Sequence, residues 1–102
     1  MRSIYTFIDV IRYLKTWFKV SGLNHAEVTE ALGFKNKSYY HSIINGKKPV
    51  PVERIKNFEA VLDLSSKEFS YFKVLVAVRR DDMSLEDKKI MLNRFRPKKY
   101  RR

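Results

Sequence analysis

The chain has 102 residues, enough for one domain with a modest core, and 44% of them are hydrophobic, which excludes disorder over most of its length. Lys and Arg outnumber Asp and Glu by 22 to 11, a net charge of +11 that favours an anionic partner such as nucleic acid or an acidic membrane surface. The absence of cysteine excludes disulfides and Cys-based zinc sites, and charges interrupt every apolar run before it reaches signal-peptide or membrane-spanning length, so a cytoplasmic location is expected.

The first helix is predicted to start near Ser3 to Thr6, where Thr6 and Asp9 have capping-box spacing. Ile4, Phe7, Ile8, Ile11, Leu14 and Phe18 recur at helical spacing, with Arg12, Lys15 and Lys19 off that stripe. A basic amphipathic helix can lie on a membrane, but such a stripe is more often a core face. Gly22 suits its end. The second helix has Asn24 as cap and Glu27 reaching back, with Val28, Ala31 and Leu32 on its buried side and Gly33 as stop. Only Phe34, Lys35 and Asn36 then precede the next helical segment, a spacing that predicts the steep crossing of a helix-turn-helix.

The third helix is expected from Lys37 to Asn45, capped by Asn36 and stopped by Gly46. At about 100° per residue, Lys37, Ser38, His41, Ser42 and Asn45 fall on one side. Tyr39, Tyr40, Ile43 and Ile44 fall on the other, with Tyr39 at the rim. Between Glu30 and Glu53 there is no acidic residue, but there are four lysines, Lys35, Lys37, Lys47 and Lys48. Pro49 and Pro51 lead into a fourth helix with Val52, Ile55, Phe58 and Leu62 on its apolar side. Ser65 and Glu68 open a fifth helix that runs to about Arg80. Phe69, Phe72 and Val76 make one apolar face of it. Tyr71, Leu75 and Val78 make a second, available for a dimer contact. Ser84 and Asp87 start a sixth, with Leu85, Met91, Leu92 and Phe95 inward, and Pro97 ends regular structure. The prediction is an all-α, compact five- to six-helix bundle over residues 1–95, followed by a basic flexible tail, 96–102.

Enzyme chemistry has little support. His25 and His41 are not spaced as a local metal pair, and Asp81, Asp82, Glu86 and Asp87 read as solvated charge at a helix start. No metal and no cofactor is expected. A short helix with a polar, acid-free side suits the major groove of double-stranded DNA better. Lys37, Ser38, Tyr39, His41 and Ser42 are the base-reading candidates. Lys35, Asn45, Lys47 and Lys48, with Asn24 and His25 at the start of the second helix, are the phosphate-binding candidates, which set affinity rather than sequence preference.

The run Leu23-Asn24-His25-Ala26-Glu27-Val28, then Leu32-Gly33-Phe34, then Tyr40, Ile43 and Asn45-Gly46-Lys47, resembles the helix-turn-helix of the lambda-repressor and Cro family of bacterial and phage regulators. The family usually has Ala or a similar small residue where Thr29 stands and often Gln where His25 stands, and the turn here is one residue longer than its commonest form. The resemblance implies that His25 contacts a phosphate or braces the reading helix, that Lys37, Ser38, His41 and Ser42 read bases, and that Asn45 meets the backbone. The segment Tyr71-Phe72-x-x-Leu75-Val76 also resembles one found in a bacterial family of poorly characterised regulators, where it follows such a domain. The expected function is a sequence-preferring DNA-binding regulator, acting as a homodimer at the nucleoid. The rivals are a protein-interaction module, adaptor or antitoxin-like, and a charge-driven nucleic-acid or RNA binder.

Overall fold

Asp9 opens the first long helix: its backbone is extended and its side chain accepts from the Ile11 amide at 3.1 Å. In the computed structural model, which describes residues 1–101, the helices are α1 (Val10–Ser21), α2 (His25–Ala31), α3 (Tyr39–Ile44), α4 (Ile55–Val61), α5 (Ser66–Arg80) and α6 (Leu85–Arg94). Single 3-10 turns precede α1 (Ile4–Thr6), lead into α4 (Val52–Arg54) and follow α6 (Lys98–Tyr100). No strand occurs among the described residues. The all-helical expectation holds, with six helices in one globule.

α1 packs against α3 and α5, α2 against α3 and α4, and α5 against α6 and the first 3-10 turn. Leu14, Tyr40, Phe58, Tyr71, Phe72 and Leu75 have no exposed surface and form the centre of the core. Phe58 and Phe72 stack with centroids 5.4 Å apart, joining α4 to α5.

The chain enters α1 later than its apolar stripe suggests. Ile4–Thr6 form a 3-10 turn, Phe7 is extended, and the α-helix starts at Val10 rather than near Ser3 to Thr6. Carbonyls freed by this break take side-chain donors from far along the sequence. The Tyr71 hydroxyl donates to the Phe7 carbonyl at 2.6 Å, and Arg96 Nε donates to the Tyr5 carbonyl at 2.9 Å. Ile4 and Phe7 are buried either way, so periodicity alone does not register the break.

Four further expectations are corrected. Tyr71, Leu75 and Val78 are not a free second face of α5 but are 0%, 0% and 2% exposed within the fold. On α6 only Leu92 is fully inward; Leu85 and the following Phe95 are exposed, and Met91 is half-buried. Ala31 is exposed, leaving Val28 and Leu32 as the inward residues of that set at the end of α2. The segment expected as a mobile tail lies against the body as far as it is described: Arg96 is buried, and the Tyr100 ring sits 5.2 Å from Tyr5.

Candidate nucleic-acid interface

The connection between α2 and α3 is longer than expected. Seven residues, Leu32 to Ser38, separate the two helices rather than three. Asn36 does not cap a helix at Lys37. Its Oδ1 accepts from the Ser38 amide at 2.9 Å and the Ser38 hydroxyl at 2.8 Å, closing a local turn. Ser38 becomes the residue before α3, with no side-chain cap bond of its own. Lys37 and Ser38 therefore stand in the turn, exposed, and not on the helix.

Both helices end in the same way. Gly33 and Gly46 take φ of +80° and +75°. After α3, the Gly46 amide donates to Ile43 and the Lys47 amide to Ser42 at 2.9 Å. The Lys48 amide also reaches the Ser42 carbonyl, at 3.2 Å. This double closure turns the chain back at the end of α3 and fixes the backbone that carries both lysines. A side chain at position 46 would meet Arg79 Nη2 at 3.4 Å, beyond the strain of a left-handed backbone.

Tyr40, Ile43 and Ile44 face the core, and the Tyr40 hydroxyl donates to the Leu14 carbonyl at 3.0 Å. Burial pushes the Tyr40 phenol well above its ordinary value. His41 and Asn45 lie exposed on the opposite side, with Ser42 half-buried between the faces. Tyr39 is half-buried at the rim, stacked 4.5 Å from Phe34 with Lys48 Nζ 5.3 Å from its ring centroid. Its ring is therefore held between Phe34 and Lys48.

The two histidines, distant in sequence, meet in space. His25 Nε2 lies 3.4 Å from His41 Nδ1, and His41 Nε2 lies 2.8 Å from Asn45 Nδ2. With Asn45 donating, His41 Nε2 is an acceptor, and a neutral His41 ring then turns its Nδ1 hydrogen toward His25. His25 rests on Phe18, centroids 4.5 Å apart, and its Nδ1 is buried with no partner. Its position is that of a brace between α1, α2 and α3. Asn24 is committed to the α2 capping box: it accepts from Glu27 N at 2.8 Å while Glu27 accepts from Asn24 N. Thr29 is 1% exposed with no partner for its hydroxyl.

The structure adds cations that the sequence reading did not place here. A cleft of about 250 Å³ is floored by apolar side chains and rimmed by Lys47, Lys48, Arg79 and Arg80. Arg79 pairs with Asp9 at 3.4 Å, an exposed contact of little energetic weight. Ile11 is a wall shared with a second cleft lined by Arg12, Lys15 and Lys19, with Asp9 the one acid at its edge among the described residues. The basic surface thus runs from α1 past the end of α3 to the end of α5. The spacing of Arg12, Lys15 and Lys19 is legible in the sequence, but the approach of Arg79 to Gly46 is tertiary and has no local signal. Among the described residues, no group of three or more His, Asp and Glu is gathered to hold a metal ion, and no helix is long and apolar enough to cross a membrane.

Compared with known proteins, the chain matches no protein-family model, no curated protein and no solved structure.

Proposed function

We propose that this protein binds double-stranded DNA with some sequence preference and acts as a transcriptional regulator. In this reading α2, the Leu32–Ser38 connection and α3 work as a helix-turn-helix with a long turn. The observation that carries it is the exposure of His41 and Asn45 on the side of α3 away from Tyr40 and Ile43, with Lys37 and Ser38 exposed in the turn before it and Lys47 and Lys48 exposed after it. Lys37, Ser38, His41 and Ser42 meet base edges, with His25 bracing His41 from behind. Lys35, Asn45, Lys47 and Lys48, joined by Arg79 and Arg80, follow the phosphates.

The test is selection of bound duplexes from a random pool at near-physiological salt. An enriched motif lost on His41→Ala supports the reading. Equal binding to all duplexes, or tighter binding to single-stranded RNA, points to charge-driven association instead. A homodimer would place two reading helices on half-sites about 34 Å apart or a multiple of it.

One observation favours a protein contact as well. A cleft of about 290 Å³ between α5 and α6 is lined by Val74, Met91 and Phe95 among others, and α6 also exposes Ile90 and Leu85. If the chain pairs, this surface replaces Tyr71, Leu75 and Val78 as the contact. Sedimentation of Phe95→Glu against the unmodified chain tests it.

A further inference from the structure

The end of the described chain and the start of α5 enclose a cleft of about 360 Å³ that plays no part in the DNA-binding reading. Lys67 lines it from α5, and Arg94, Arg96 and Arg101 line it from the closing segment. No carboxylate does so among the described residues. Glu68, at the same end of α5, is engaged elsewhere: its Oε1 accepts from the Ser65 amide at 2.9 Å. The adjoining cleft, lined by Ile90, Asn93, Arg94 and Arg101, shares two of these cations and has no acid among the described residues.

Arg96 distinguishes this cleft from an ordinary basic patch. It is 5% exposed. Its Nε donates to the Tyr5 carbonyl at 2.9 Å, and its guanidinium carbon lies 5.8 Å from the Tyr71 ring centroid. No ion pair within the described residues includes it. Its Nη groups are not among the buried polar atoms left without a partner; with no bond to a described residue, they open onto the cleft. A guanidinium keeps its charge on burial, and a buried charge is costly without a counter-charge. The carbonyl and the ring offset part of that cost, but neither supplies negative charge. Arg101 is itself held at the cleft, its Nε donating to the Arg96 carbonyl at 3.2 Å.

We propose that this cleft binds a phosphate group, free or carried by a small molecule, with Arg96 as the buried donor and Lys67, Arg94 and Arg101 around it. The planar fork of a guanidinium matches phosphate oxygens, and a phosphomonoester's charge of about −1.5 to −2 suits several cations better than a monoanion does. The cleft lies at the Lys67 end of α5. Arg79, at the other end of that helix, is twelve residues away, about 18 Å along the axis. A duplex seated on α3 and Lys47 meets the Arg79 end, so the ligand here is a small phosphate rather than the DNA backbone. Phosphate binding at this cleft does not rest on DNA binding, but the choice of a small phosphate over the DNA backbone does.

The test titrates inorganic phosphate, then glycerol 3-phosphate, into the full chain at constant ionic strength, followed by amide NMR. Saturable shifts are expected at Lys67, Phe95 and Arg96, with Ser42, Lys47 and Lys48 little affected. Arg94→Ala/Arg101→Ala removes two exposed cations. It is expected to leave the rest of the spectrum intact and weaken phosphate binding by about tenfold or more. Arg96→Lys keeps the charge but loses the fork, and weakens binding further. If that variant does not fold, the surface pair alone decides. Shifts that rise linearly without saturating, that centre on Lys47, or that persist at full affinity in the Arg94/Arg101 variant overturn the proposal. So does a loss of duplex affinity in that variant as large as in Lys47→Ala/Lys48→Ala, since those cations would then serve nucleic acid.

Discussion

Two stretches of this chain are basic and free of acids: Lys35 to Lys48, and Lys88 to Arg102. By composition they invite opposite expectations, an ordered interface for the first and a loose arm for the second. The first is held mainly from behind. Its short helix, Tyr39–Ile44, presses Tyr40 and Ile43 into the core and leaves Lys35, Lys37, His41, Lys47 and Lys48 exposed. The second, where described, is held by one of its own cations: Arg96 is buried and reaches back to Tyr5 across most of the sequence. A run of lysines and arginines states how much charge is present. It does not state which cation is structural and which is free. That depends on whether the fold leaves a bare carbonyl within reach.

Replacing Arg96 gives the largest expected effect on this contrast. Arg96→Ala removes a charge-assisted bond to a buried carbonyl and the packing against Tyr71. It is expected to cost about 2–4 kcal/mol in urea unfolding. A loss under about 0.5 kcal/mol would mean that the second stretch is as free as the first. Next comes His41→Ala. It is expected to lower discrimination between the selected duplex and a random one by about 1–3 kcal/mol while leaving the unfolding free energy nearly unchanged. If discrimination is retained, the exposed side of α3 is not the reading surface.

Tyr40→Phe examines how the first stretch is anchored. Losing the bond to the Leu14 carbonyl should cost about 0.5–1.5 kcal/mol. The same residue sets a pH dependence. Burial raises the Tyr40 phenol well above its ordinary value of 10.0, and raises Tyr13 to about 12. The folded state therefore holds these protons more tightly than the unfolded chain does. The associated stability is complete below pH 10 and is lost as pH rises from there through the folded-state values. Thermal unfolding should show this alkaline decline, and Tyr13→Phe/Tyr40→Phe should flatten it.

Legibility in the sequence followed the range of the interactions. Both capping boxes, Asn24 with Glu27 and Ser65 with Glu68, are local and were readable. So were the glycine stops after α2 and α3 and the inward set Tyr40, Ile43 and Ile44. The late start of α1 was not, because Tyr71 and Arg96, which take the freed carbonyls, lie more than sixty residues away. Nor was the role of Asn36, since an Asx turn and a helix cap draw on the same residue types. α5 misled for a third reason. Two apolar faces mean either deep burial or an unfilled contact, and the positions of α6 and of the Ile4–Thr6 turn decide between them.

The smallest expected effect is also the sharpest comparison of the two stretches. Lys37→Ala removes an exposed cation that has no ion pair among the described residues, so unfolding should shift by no more than about 0.5 kcal/mol. What changes is binding. If Lys37 meets a base edge, the variant loses preference among duplexes while the salt slope stays almost constant. If it meets a phosphate, affinity falls equally for every duplex and the slope of log K against log salt drops by about 0.9. The proposed role at a base edge predicts the first outcome; because Lys37 stands in the turn rather than on α3, the second would leave Ser38, His41 and Ser42 to carry the preference.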